Sequence, residues 1–272
     1  MTRNLYDIDG KVAVITGGGG VICSTLAVEM AEQGAHIAVL DLSLEKAQQT
    51  RDSIIHAGGQ AIALSCNVLD RESTISAAQS VIATYGRIDI LVNGAGGNHP
   101  MATTSSDSSF FDLPAESIRF VFDLNCLGSI IPSQVFGKYM AEQGSGCIIN
   151  IASMSSFRPL TKTLAYSSAK AAIANFTEWA AVHFAQEYSP NIRVNAIAPG
   201  FLLTAQNHYL LKNEDGSDTD RGRSIITNTP MGRYGEPVEL AGGVIFLCSD
   251  AAKFITGVVL PIDGGFNAFS GV

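Results

Sequence analysis

About six times along this chain a short apolar run gives way to a helical stretch, and that alternation limits the fold more than any other feature. The runs cover residues 11–16, 35–40, 61–65, 88–92, 147–151 and 192–197, with a last short one at 258–261. They lack polar alternation, the pattern of strands covered on both faces. Helical stretches follow at 24–33, 44–57, 71–85, 114–143, 164–188 and 237–249, several of them stopped by glycine. Gly128 and Pro132 are placed to bend or divide the stretch at 114–143. Strands joined through helices form parallel sheets with right-handed crossovers and helices on both faces. The expected fold class is α/β: one doubly wound domain over residues 1–272, with about seven parallel strands. Residues 201–234 have mixed character and read as a substrate-binding loop region.

Composition narrows the partners. Hydrophobic residues make up 46% and charged residues 15%, enough for a large core without metal or disulfide support. The net charge of −8, from 25 acids against 17 bases, disfavours nucleic acid and anionic membranes. Five widely spaced cysteines without a CxxC read as reduced thiols in a cytoplasmic protein. The start of the chain does not read as a signal peptide, and no apolar run is long enough to span a bilayer. The five histidines show no metal-ligand spacing, so no metal site is expected.

In a doubly wound sheet, ligands lie beyond the C-terminal strand ends. Four consecutive glycines, Gly17 to Gly20, stand between the first strand and the first helix. Glycine there lets backbone N–H groups approach a pyrophosphate, and the helix N-terminus adds partial positive charge. Gly17, Gly19, Gly20, Val21 and Ile22 are the expected contacts of a Rossmann-type turn. Asp41 ends the second strand, beside Leu42. Its carboxylate can accept hydrogen bonds from both adenosine-ribose hydroxyls and would repel a 2′-phosphate, so NAD(H) is expected over NADP(H). The other reading of Asp41 is a turn or cap residue before the next helix. Asn67 and Val68 follow the third strand, where Asn67 can reach an adenine. Asn93, Gly94, Ala95 and Gly96 end the fourth, where small residues let backbone pass close to the cofactor. Ordinary strand-end turns would read the same way.

Tyr166 and Lys170 open the long helix at 164–188 one turn apart, on one face. A free phenol is a poor base at neutral pH. A cation about 4 Å away is worth about 4 kcal/mol at an effective dielectric of 20, enough to lower the phenol pKa by about 3. Desolvation opposes this, so the lysine must win. Ser153 follows the fifth strand and can donate to a substrate oxygen. Asn125 sits inside a helix, where its propensity is poor, so it either holds water or makes a helix–helix hydrogen bond.

Together these residues resemble the short-chain dehydrogenase/reductase family, from Lys11 to Gly265. The resemblance rests on Thr16-Gly17, Asp41, Asn93-x-Ala-Gly96, Asn125, Ser153, Tyr166-x-x-x-Lys170, Pro199-Gly200 with Thr204, and Asp263-Gly-Gly265. It implies that Tyr166 is the acid/base and that Ser153 polarises the carbonyl. It implies that Lys170 tunes Tyr166 and holds the nicotinamide ribose, and that Asn125 anchors a relay water. Pro199, Gly200, Phe201, Leu202 and Thr204 join the implied cofactor contacts, and the implied assembly is a homotetramer. The family's glycine pattern departs here at Val21 and Cys23, and its second Asn after the fourth strand is Gly94.

A narrower resemblance runs through residues 93–100, 157–162, 213–217 and 229–233. It is to the branch that interconverts D-mannonate and D-fructuronate, and it implies an anionic sugar-acid substrate. Asn98, His99, Ser153, Arg158, Lys162, Asn207 and His208 are the expected substrate contacts. Arg158 or Lys162 would take the carboxylate, although a solvated basic loop reads the same. Two other functions fit the fold: oxidoreduction of another polyol, ketone or acyl substrate, and dinucleotide sensing without chemistry. The Ser153/Tyr166/Lys170 set argues against the second.

Overall fold

A computed structural model describes residues 4–204 and 207–271. Seven parallel strands form one sheet: β1 (Val12–Thr16), β2 (His36–Asp41), β3 (Gln60–Ser65), β4 (Ile90–Asn93), β5 (Gly146–Ile151), β6 (Ile192–Pro199) and β7 (Val259–Ile262). Their spatial order is β3-β2-β1-β4-β5-β6-β7. The order reverses direction between β1 and β4, and such a switch point opens a crevice above the strand ends.

Alternate residues of each strand serve two cores. Ala13, Ile15, Ile37, Val39, Val92 and Ile149 face α1 (Val21–Glu32), α2 (Leu44–His56) and α8 (Ala241–Cys248). Val14, Ala38, Leu40, Leu91 and Ile148 face α3 (Arg71–Tyr85), α4 (Ala115–Gln143) and α5 (Leu164–Glu187). Both faces are covered, which is why the strands read as unbroken apolar runs. All five cysteines are free and buried. Among the described residues no helix is long and apolar enough to cross a membrane, and no cluster of three potential metal ligands occurs.

The structure corrects several expected boundaries. The first helix begins at Val21, directly after the glycines, rather than at residue 24. The fourth is continuous over 29 residues despite Pro132. The stretch at 237–249 divides into a 3₁₀ turn (Pro237–Leu240) and α8, with Glu236 and Glu239 forming a capping box. The region 201–234, of which 205 and 206 lie outside the described residues, holds α6 (His208–Leu211) and α7 (Asp220–Thr227). They pack on a small core of Leu211, Ile225 and Tyr234.

Candidate active site

The glycine turn is built for close backbone approach. Gly17 has φ +64°, and a Cβ there would come within 2.9 Å of Ala95 backbone. Gly20 caps α1 with extended backbone and no side-chain hydrogen bond, so the first-turn N–H groups have no side-chain acceptor from the cap. Gly17, Gly20, Val21 and Ile22 line a cleft of about 390 Å³ at the switch point. A turn that admits no Cβ, followed by an uncapped helix N-terminus, fits a dinucleotide pyrophosphate. Gly19 is oriented by Asp41, whose Oδ2 accepts its N–H at 3.0 Å, while Oδ1 accepts Ser43 N–H at 2.9 Å. Asp41 is therefore a turn residue as well as a candidate ribose acceptor.

Asp41, Leu42, Asn67 and Val68 stand at the β2–β3 edge and do not line this cleft. Leu42 is exposed. Asn67 uses its Oδ1 to accept Leu69 N–H. Val68 is buried, and a Cβ on Gly128 would meet it at 3.1 Å.

The loop after β4 is tied from three sides. Thr16 Oγ1 accepts the N–H groups of Gly94 (3.1 Å) and Ala95 (3.3 Å). Asn93, fully inside, donates to Ser133 Oγ and Asn150 Oδ1. Asn125 Nδ2 donates to Gly97 O at 2.6 Å and to Val121 O at 2.8 Å, and Asn125 Oδ1 accepts Gly97 N–H. The Asn125 side chain thus clamps the loop to α4. Thr16 and Cys23 were missed as site residues. For Thr16 a signal existed, because parallel pairing sets it opposite Asn93.

Ser153 and Tyr166 line the same cleft. Ser153 is buried; its Oγ accepts Ser155 N–H at 3.1 Å, and its hydroxyl stands near enough to the Tyr166 phenol to favour the phenolate. Lys170 is buried one turn along α5 and donates to Ile151 O at 2.7 Å. Its Nζ lies 5.7 Å from the Tyr166 ring centroid. The expectation that the lysine lowers the phenol pKa is corrected here. Burial pushes Tyr166 up, only partly opposed by Ser153. The lysine cation is itself disfavoured by burial and falls to about 8.

That depression sets a pH dependence. An unfolded lysine titrates near ~10.4, so between about pH 8 and that value the unfolded chain binds the proton more tightly. Stability of the ligand-free protein therefore gains from Lys170 as pH rises through this window. Below it the full cost persists, on the order of 3 kcal/mol. Lys170→Met should be more stable relative to the parent at pH 7 than at pH 10 in urea unfolding. An equal difference at both pH values would refute this account of the buried cation.

On the far wall Pro199, Gly200, Phe201, Leu202, Thr204 and Asn207 line the cleft. Asn207 braces this turn, accepting Thr204 N–H and donating to Leu202 O, both at 2.8 Å. Of the other expected substrate residues, Asn98, His99, Arg158, Lys162 and His208 lie outside the lining. Local bonds explain most of this. Asn98 donates to Thr103 Oγ1, and His99 Nδ1 accepts Met101 N–H. Arg158 Nη1 donates to Phe269 O at 2.8 Å, holding the C-terminal segment over its own subunit, where Phe266 packs edge-on against Phe201. Lys162 is exposed, with φ +70°.

A glycine turn and a Ser–Tyr pair on one cleft at the switch point, with Lys170 buried one turn along the same helix, define the class of nicotinamide-type oxidoreductases. The sequence profile of a family described as enoyl-(acyl carrier protein) reductase matches residues 20–267. A crystal structure of a Haemophilus influenzae protein with bound NAD, provisionally named a D-mannonate oxidoreductase, superposes with a TM-score of 0.93 at 48% identity, covering 99% of this chain and 100% of that one. An uncharacterized oxidoreductase of Bacillus subtilis, UxuB, is 47% identical over 98% of each chain. The 2-dehydro-3-deoxy-D-gluconate 5-dehydrogenase of Dickeya dadantii is 32% identical over 98% of this chain and all of its own. The chain belongs to the short-chain dehydrogenase/reductase family and is an oxidoreductase acting on CH–OH groups.

Proposed function

We propose that the protein is an NAD-dependent oxidoreductase of a sugar acid, interconverting D-mannonate and D-fructuronate. The observation that carries the chemistry is the approach of Ser153 and Tyr166 to one another on the cleft that also holds the glycine turn. The substrate class is supported by similarity to the Haemophilus protein and to the gluconate-type dehydrogenase. Gly17, Gly19, Gly20, Val21 and Ile22 hold the pyrophosphate, and Asp41 with Leu42 the adenosine ribose. Asn67 and Val68 flank the adenine. Asn93 to Gly96 and Pro199 to Thr204 enclose the nicotinamide half, and Lys170 binds its ribose.

When bound, the nicotinamide accepts or donates the hydride. Ser153 donates a hydrogen bond to the substrate oxygen. Tyr166 Oη takes the proton from the alcohol, or returns it to the carbonyl oxygen. Lys170, charged below about pH 8, keeps a cation one turn along α5 from the phenol. Asn125 positions the β4 loop and anchors the relay water. Asn207 meets substrate hydroxyls. Asn98, His99, Lys162 and His208 act from the rim. Arg158 takes the carboxylate, exchanging its bond to Phe269. Exposed Phe122 and Leu127 on α4, with Trp179 and Val182 on α5, support assembly into a homotetramer through these helices.

The test is NADH oxidation with D-fructuronate, beside uncharged polyols and their ketones. Turnover with the keto-acid is expected. Arg158→Ala should raise its KM about tenfold or more, the cost of losing a charged hydrogen-bonded pair, without changing KM for a neutral substrate. Turnover confined to neutral polyols would transfer the protein to the polyol branch of the family.

A further inference from the structure

Gly94 is a glycine without a backbone reason. Its φ is not positive, so any residue could adopt its conformation. Space is what excludes a side chain: a Cβ there would lie 2.0 Å from Cys23 Sγ and 2.9 Å from Thr16 O. Cys23 stands in the first turn of α1, is 3% exposed, and lines the cleft together with Gly94 and Gly96. Its thiol is pushed up to about 12 by burial, so it packs as a neutral apolar group rather than as a nucleophile. Two departures from the family pattern, the cysteine in α1 and the glycine after β4, are thus two sides of one contact.

The contact has a counterpart on the loop's other face. A Cβ on Gly96 would meet Asn125 Oδ1 at 2.7 Å and Lys170 Nζ at 3.4 Å. Between Cys23 and this Asn125–Lys170 wall, the loop has no room to shift without disturbing one or the other. We infer that Cys23 is a positioning residue: by filling the space over Gly94 it fixes the β4 loop, and through the loop the width of the dinucleotide slot and the seat of Lys170. This rests on the dinucleotide reading above.

A double-mutant cycle on the whole protein tests it, read by NAD binding in calorimetry and by KM and kcat. Cys23→Ala folds safely, because it only removes the sulfur. Gly94→Ala in the parent is expected to weaken NAD binding about tenfold or more, the usual result of overpacking. In the Cys23→Ala background the new methyl meets Cys23 Cβ at 3.6 Å, an ordinary contact. The tight approach to Thr16 O is common to both backgrounds and cancels in the cycle. Gly94→Ala should therefore cost NAD affinity at least about threefold less there than it does in the parent. The loss in the parent should appear in KM for the dinucleotide before it appears in kcat. An equal loss in both backgrounds overturns the positioning role, as does a loss confined to thermal stability with NAD affinity unchanged. If the parent itself binds no dinucleotide, the cofactor reading fails, and with it anything for Cys23 to position.

Discussion

Tyr166→Phe is expected to lower kcat about a thousandfold, within the range for a general acid–base group, while NAD binds with nearly the affinity of the parent. The ring packs near Ala102, Val121 and Ala165, and phenylalanine keeps that packing. What is lost is the hydroxyl that shares the cleft with Ser153. The direction of the phenol's titration adds a second expectation. Burial raises its pKa, and alcohol oxidation needs the deprotonated form as base. The kcat/KM for oxidation should therefore still be climbing above neutral pH, whereas carbonyl reduction, which needs the proton, should fall on the alkaline side. A variant retaining a tenth or more of parental kcat would remove Tyr166 from the chemistry. A flat oxidation profile from pH 6 to 9 would remove its titration from rate control.

Asp41→Asn is expected to shift the preference for NAD over NADP by about a hundredfold toward NADP. Two unit charges 4 Å apart interact by about 4 kcal/mol at an effective dielectric of 20, and screening at this half-buried edge reduces that to about 3 kcal/mol, or about a hundredfold. Lys46 stands close by, its Cβ against Gly19, and would then face the added phosphate without an intervening carboxylate. The change also has a cost for NAD. Asp41 accepts the N–H groups of both Gly19 and Ser43, and the asparagine amide can accept through only one oxygen. NAD affinity should fall as well, so the ratio of kcat/KM for the two cofactors is the measurement. An unchanged ratio would mean that Asp41 shapes the turn and does not read the ribose.

The fold was legible because its signals are local. Strand runs covered on both faces, glycines after helices and the β1 turn announce themselves within ten residues or so, and the alternation implies a parallel doubly wound sheet, whereas the strand order is seen only in the structure. The Ser153/Tyr166/Lys170 set was legible too, since strand ends in a parallel sheet share one edge. Boundaries were less so. Pro132 reads as a place to bend or divide the helix, yet α4 runs through it unbroken. Arg158 lies between Ser153 and Tyr166 in sequence, yet its guanidinium meets a carbonyl at residue 269, a partner that no local pattern announces.

Element types and chemical groups could thus be read from side-chain order alone, because periodicity and motif spacing are properties of neighbours in the chain. Burial and hydrogen-bond partners are properties of neighbours in space, and these settled the rest. They keep Lys170 near pH 8 and the phenol above its ordinary range. They lock Asn125 onto Gly97. They also make Cys23 and Gly94, far apart in sequence, a single packed contact.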